Sequence, residues 1–338
     1  MEDEFRGALE MITREIPRGR VATCGAIARA LGDIRAARAV AAWLSEHPDS
    51  RGAHRVVRAD GRPILLTAMN RLRQEGISSR ARIPRTRFVD DLPRVGILRR
   101  LRQSQRRMAE RVVERDSFPD NPALGGVDVA YHAGRAFAAA VRCDAEGFDV
   151  IESAVTELPV DFPYIPGYLA FREFPGVAAA LGRLRKVPDI LLVDGHGRLH
   201  PALFGLACFI GVRLNLCTIG VAKHPLVGRP ARRTEAQEEA IPLVYAGRAR
   251  GYAWTPPGGA KAIYISVGHR ISLRTALETV RRSTRDRYPQ PLVEADRLSK
   301  ETKRKSKEGE GLSQSPDGDR ATRESAGLIS SFSCPSSS

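Results

Sequence analysis

Cysteine is scarce and unpatterned in this chain of 338 residues: Cys24, Cys143, Cys208, Cys217 and Cys334 are odd in number, scattered, and contain no C-x-x-C pair. A disulfide framework and a thiolate zinc site are therefore not suggested, and a reducing, cytosolic setting is expected. No apolar run approaches the roughly 18 residues needed to cross a bilayer. The opening MEDEFRGALE is charged from its second residue and lacks an apolar signal core, so a cytoplasmic protein without a membrane partner is the expectation. No internal repeat is found, and the GHG that follows ILLVD lacks the full G-x-G-x-x-G of a dinucleotide site. Acidic residues are also in deficit. Asp and Glu number 39 against 54 Lys and Arg, a formal charge of +15, and such an excess favours a polyanionic partner because bound cations release counterions from phosphates.

What is present suits about two domains. From Phe5 to about Gly76, EFRGALEMITREI reads as an amphipathic helix, IPRGRV as a turn, and TCGAIARALG as a second helix capped by Thr23. Residues 77–93 carry Ser, Pro and Arg without sustained periodicity and read as a linker. The stretch Gly96 to Glu114 places Ile97, Leu98, Leu101, Met108 and Val112 near one helical face. GGVDVAY, RAFAAAVRC and DVIESAVTE, separated by HAG and DAEG, predict an antiparallel meander. FREFPGVAAALGRL, DILLVDG, HPALFGLACFIGV and CTIGVAK then alternate helix and strand, which adds parallel pairing. Strands at AIPLVY and KAIYISVG and a helix at SLRTALETVRR follow. The fold class is α/β: a mixed sheet with flanking helices over residues 94–298, behind a small, mainly helical unit over 1–76. Residues 299–338 are charged, Ser-rich and almost without aliphatics, so a disordered tail is expected.

Three carboxylates carry the chemical signal. Asp128 interrupts the apolar run VDVAY, where a strand seldom hosts an unpaired carboxylate. Asp194 ends ILLVD, at the strand end that commonly faces a ligand crevice. Glu173, on the helix after YIPGYLAFRE, offers a third oxygen, and hard oxygen ligands from separate elements suit Mg²⁺ or Mn²⁺. Spacing alone leaves a second reading open, in which Asp128 makes a structural hydrogen bond, Asp194 caps a turn and Glu173 is solvated.

GGVDVAY, FPYIPGYLAFRE, DILLVDGHGRLHP, TIGVAKHPLVG, ISVGHRI and VEADRLS, in that order, resemble the signature blocks of the endonuclease V family over about 200 residues. The resemblance implies a ribonuclease-H-like fold. It implies a Mg²⁺-dependent endonuclease, with Mn²⁺ able to substitute, that cuts DNA on the 3′ side of deaminated bases such as deoxyinosine, usually at the second bond beyond the lesion. By the same resemblance Asp128, Glu173 and Asp194 are metal ligands, His269 lies beside the metal site, and Lys223 helps hold the scissile phosphate or nucleophile. Pro163, Tyr164, Ile165 and Pro166 resemble a wedge inserted where the damaged base leaves the duplex, stiffened by two prolines. Gly195, Gly197 and Gly220 would let backbone approach the flipped base, and His200 matches in a secondary place. Whether one or two metals act is left open, as is an RNA substrate, since some relatives prefer inosine in RNA.

IPRGRVATCGAIARALGDIRAARAV and GAHRVVRADGR resemble the carboxy-terminal domain of alkylguanine-DNA alkyltransferases over about 75 residues. The resemblance implies a winged-helix-like helix-turn-helix entering the minor groove, with Arg38 taking the space of an extruded base. Where the enzymes carry Pro-Cys-His-Arg, this chain has Gly52, Ala53, His54 and Arg55. Ala53 leaves alkyl transfer without a nucleophile, so a non-catalytic reader of alkylated guanine is implied, as in the alkyltransferase-like proteins. Cys24 stands where a nucleotide-rotating tyrosine is usual, and the loop with His47 and Pro48 is short. A damage-binding adaptor that recruits repair partners is the alternative to an active nuclease.

Overall fold

The coordinates are a computed structural model describing residues 2–65, 67–77, 82–160, 162–231 and 240–312. The amino-terminal unit is built from α1 (Glu2–Arg14), β1 (Ala22–Thr23), α2 (Cys24–Leu31), α3 (Ala37–Glu46), β2 (Val56–Val57) and α4 (Ala68–Gln74). Phe5, Ala8, Leu9 and Ile12 recur at three- and four-residue spacing, and all are buried. Thr23 caps α2 as expected, its side-chain oxygen accepting from Ala26 N at 2.9 Å. The short parallel pairing of β1 with β2, Ala22 opposite Val56, is too short for strand periodicity to announce.

Glu75 knots this unit together. Its carboxylate accepts from Arg55 Nη2 at 2.7 Å and from Gly19 N at 3.1 Å, and lies 3.0 Å from His54 Nε2. Burial alone would raise the carboxyl, but the bonds from Arg55, then His54 and Gly19, hold it at about 2.

The segment read as a linker is tied down instead. Val21 N donates to Arg87 O and Val89 N to Val21 O, at 2.9 and 2.8 Å, and Ile83 N donates to Gly61 O at 3.0 Å. Lone backbone pairings of this kind leave no periodic trace in side-chain sequence. Residues 78–81 lie outside the described residues.

The larger unit opens with α5 (Ile97–Ala109) and continues through β3 (Leu124–His132), β4 (Arg135–Cys143), β5 (Val150–Pro159), α6 (Leu169–Gly182), β6 (Ile190–Asp194), α7 (Leu206–Leu214) and β7 (Cys217–Ala222). It closes with β8 (Arg229–Pro230), β9 (Ala240–Tyr245), β10 (Arg248–Trp254), β11 (Ile263–His269), α8 (Leu273–Ser283) and α9 (Gln290–Leu312). The sheet has nine strands in the order β5-β4-β3-β6-β7-β11-β10-β9-β8. β3, β6 and β7 are parallel and the other neighbours antiparallel, the mixed sheet that the sequence predicts. β10 was not anticipated, because ARGYA offers little apolar alternation.

Residues alternate between two cores along the strands. Val127, Leu191 and Val193 pack with α6, α7 and the amino-terminal unit, whereas Leu124, Ile190 and Leu192 pack with α8 and α9. Gly126 is needed where α9 starts, because a Cβ there would lie 2.2 Å from Pro291 O.

α9 also corrects the expected tail. Residues 299–312, assigned to disorder from their charge, continue the helix to Leu312. Pairs at i,i+4 support it, Arg297 with Glu301 at 3.1 Å and Lys305 with Glu301 at 2.9 Å. Residues 313–338, with Cys334, lie outside the described residues.

One core spans both units. The Phe5 and Phe162 rings meet edge to face across the seam at 5.7 Å and Tyr168 Oη donates to Asp33 at 2.8 Å, while within the larger unit Gln105 Nε2 donates to Gly167 O at 3.1 Å. Arg102 stacks 4.6 Å over the Tyr168 ring.

Glu75→Gln is expected to destabilise the protein by about 3 kcal/mol, the usual cost of breaking a buried ion pair. Since the folded carboxyl sits at about 2, below its ordinary 4.5, this contribution is complete above 4.5 and drains away as pH falls toward 2. Denaturation of wild type and variant between pH 7 and 2 checks it: curves that stay parallel throughout contradict the assignment.

Candidate active site

The parallel register fixes where two of the carboxylates emerge. Val127 pairs with Val193, so Asp128 and Asp194 are the next residues on adjacent strands. Asp128 accepts from Ser299 Oγ on α9 at 2.8 Å. Asp194 accepts from Lys223 Nζ at 2.6 Å and from Tyr288 Oη at 3.2 Å. Glu173 reaches the same end of the sheet from α6, and its Oε1 accepts from Tyr131 Oη at 3.3 Å.

The three acids are close enough to oppose one another's ionisation. Burial, then the charge of Asp128, pushes the Glu173 carboxyl up to about 8. Asp128 is raised by burial too, with Asp194 and Asp296 adding. Burial would lower Lys223, but the Asp194 carboxylate holds its ammonium above the ordinary value. Among the described residues no three of His, Cys, Asp or Glu form a closed metal cluster; each acid is held by its own donor.

These donors are what sequence reasoning missed. Tyr131 closes GGVDVAY, and Asp296 and Ser299 lie in VEADRLS, both blocks singled out for other reasons, while Tyr288 carries no sequence signal. Asp296 bears electrostatically on Asp128, Lys223 and Tyr288, making it a fourth acid of the site. His196 belongs here also: burial lowers it to about 4, Asp194 lies near it, and its Nδ1 has no partner among the described residues.

Other expected residues fall differently. His269 pairs with Thr218 while Asp194 pairs with Val221, so it stands toward the opposite end of these strands from the acids. Its Nδ1 accepts from Val113 N at 3.2 Å, and burial lowers it to about 4. His269 therefore anchors the segment after α5 and does not join the carboxylates. His200 is buried, with Nδ1 accepting from Ala202 N at 3.1 Å. A Cβ on Gly220 would lie 2.4 Å from Gly197 N, and one on Gly197 2.0 Å from Val267 O; close backbone packing accounts for both glycines. Gly195 continues the chain directly from Asp194, its N donating to Val221 O at 2.9 Å.

In the expected wedge, Tyr164 is 62% exposed while Ile165 is fully buried. Pro166 is exposed and Pro163 half-buried, so Tyr164 forms the tip and Ile165 the anchor. Arg38 is exposed on α3. Ala53, at the acceptor position, is fully buried. Beside it His54 Nε2 is held by Glu75, and its Nδ1 has no partner among the described residues.

Comparison with known proteins agrees with this geometry. The family model "Endonuclease V" matches residues 106–297, and "6-O-methylguanine DNA methyltransferase, DNA binding domain" matches residues 4–77. Endonuclease V of Thermofilum pendens is 43% identical over 207 residues, covering 60% of this chain and 88% of that protein. The crystal structure of the catalytic domain of human Endonuclease V superposes with a TM-score of 0.58 at 32% identity, covering 64% of this chain and 99% of that one. The Ciona intestinalis Endonuclease V, crystallised with a 24mer DNA containing an inosine followed by a ribo-adenosine, gives a TM-score of 0.57 at 26% identity, covering 62% and 98%.

Cys24 is buried, and burial pushes its thiol up to about 11, so almost no thiolate exists at neutral pH. Incubation with a duplex containing alkylated guanine is expected to leave its mass unchanged. An alkyl adduct on Cys24 in the mass spectrum contradicts this.

Proposed function

The chain belongs to the endonuclease V family, and from that premise we propose a Mg²⁺-dependent DNA-repair nuclease acting on deoxyinosine, coupled to a non-catalytic DNA-binding unit. The bond cut is a phosphodiester on the 3′ side of the lesion, the second one beyond it. The meeting of Asp128, Glu173, Asp194 and Lys223 at one end of the sheet carries this reading.

Phosphodiester hydrolysis needs an activated water, neutralisation of charge on the phosphorane-like transition state, and stabilisation of the departing oxygen. Asp128, Glu173 and Asp194 would hold Mg²⁺, with Asp296 beside them, and the ion when bound acidifies water and offsets phosphate charge. The donor set fits a hard divalent cation: it is all carboxylate, and the burial and neighbouring Asp128 charge that together hold Glu173 at about 8 are what a nearby positive charge offsets. Lys223 is half-exposed and stays cationic beside Asp194, so its Nζ can turn onto a phosphate oxygen. Tyr288 bonds both Asp194 and Val221 O, which keeps the carboxylate in place when Lys223 leaves it.

The amino-terminal unit supplies affinity rather than chemistry. Support comes from Ala53 at the buried acceptor position and the unreactive Cys24; alkylated guanine remains the ligand proposed for it. A reducing cytosolic setting accords with the four buried, unpaired cysteines among the described residues.

Asp128→Ala is expected to abolish nicking of an inosine duplex in Mg²⁺ or Mn²⁺ while binding persists, and Lys223→Ala to slow nicking by about 100-fold. A panel of hypoxanthine, uracil, xanthine and alkylguanine in matched DNA and RNA strands checks the substrate. Equal nicking by wild type and Asp128→Ala, or cleavage confined to RNA, sinks the reading as stated.

A further inference from the structure

The seam between the two units opens on one side as a cleft of about 490 Å³, within the roughly 300–1,000 Å³ typical of small-ligand sites. α3 of the amino-terminal unit supplies Arg38, Trp43 and Glu46 to it, and the nuclease unit supplies Phe162, Tyr164 and Arg172. Neither unit makes this cleft alone.

Its chemistry suits a nucleotide. Tyr164 is 62% exposed, although large aromatics are normally turned inward. Arg38 is exposed and makes no ion pair among the described residues. Trp43 is 8% exposed, and its indole N–H finds no acceptor among the described residues, so the wall holds a buried donor as well as an aromatic surface. Arginines outnumber the single lining carboxylate of Glu46.

The cleft is also wired to the catalytic acids. Arg172 lies 4.3 Å over the Tyr131 ring, donates to Phe162 O at 2.6 Å, and precedes Glu173, to which Tyr131 donates. The loop bearing Tyr164 is clamped on both sides by the other unit, through Phe162 on Phe5 and Tyr168 on Asp33. Movement of Tyr164 independent of α3 is thereby opposed by buried contacts.

We propose that this cleft is a composite site for one unpaired nucleotide of the strand being cut, its base stacked on Tyr164 and its flanking phosphates held by Arg38 and Arg172. The two units then read one segment of DNA, and the amino-terminal unit extends the nuclease's substrate site. This rests on the DNA-nuclease reading above, and binding can be measured apart from cleavage.

The experiment uses the full chain in EDTA with inosine duplexes carrying 2-aminopurine at successive positions around the lesion. One position is expected to change fluorescence on binding, and Tyr164→Ala and Arg38→Glu should each abolish that change and weaken binding about tenfold. Because both hold the same nucleotide, the double variant should lose about tenfold rather than about a hundredfold, and Arg38→Lys should retain the signal. Arg38 is exposed, so these losses are not unfolding; melting curves verify it. Wild-type binding and fluorescence in Arg38→Glu, with loss only in Tyr164→Ala, overturns the proposal, as does a double variant whose loss is the product of the singles. If wild type fails to nick inosine in Mg²⁺ but the fluorescence pattern holds, the nuclease reading falls and the composite site stands.

Discussion

The parallel pairing of β3 with β6 is the constraint on which the rest depends. By placing Val127 beside Val193 it brings two aspartates together where β6 ends. Side chains of like charge rarely meet in a low-dielectric setting unless something of opposite charge is meant to join them. The cost is borne by the surrounding structure: Ser299 on Asp128, Tyr131 on Glu173, Lys223 and Tyr288 on Asp194. α9 supplies one of these donors and a fourth acid, which explains why it packs so tightly on β3 that Gly126 admits no side chain.

The second organising feature is the shared core. The contacts across the seam combine an aromatic pair, a buried tyrosine bonded to Asp33, and Arg35 lying 5.8 Å over that tyrosine's ring. Asp33 would be raised by burial, but its bonds from Arg35 and then Tyr168 hold it at about 2, so it stays ionised at any physiological pH. Domain seams that are small and polar permit relative motion; this one joins a continuous apolar cluster. The loop with Tyr164 is part of that seam, held on both sides by Phe162 on Phe5 and Tyr168 on Asp33.

The amino-terminal unit is well bonded around Ala53, which is fully buried. His54 and Arg55 are bonded to Glu75 beside Ala53, so the Glu75 knot holds the chain there in place.

The chain order of elements was legible from residue periodicity, as was the mixed sheet, because strands buried on both faces read as runs such as ILLVD and helices as spaced apolar residues. The acids Asp128, Asp194 and Glu173 stood out because a carboxylate inside or at the end of an apolar run demands a partner. Their resemblance blocks told the family. What no local pattern carried was who meets whom. His269 sits in a signature block yet lies toward the other end of the strands, since only the register of β11 on β7 decides that. Ser299 and residues to Leu312 looked like a solvated tail because charge composition is blind to i,i+4 pairing and to a sheet waiting beneath the helix. Linker residues 82–89 became part of the amino-terminal unit through backbone bonds that any side chain permits. The docking of the two units, and with it the position of Tyr164 opposite Arg38, arose from contacts between residues far apart in the chain. Sequence spacing determines the faces of individual elements; only packing in three dimensions determines which faces share a cleft.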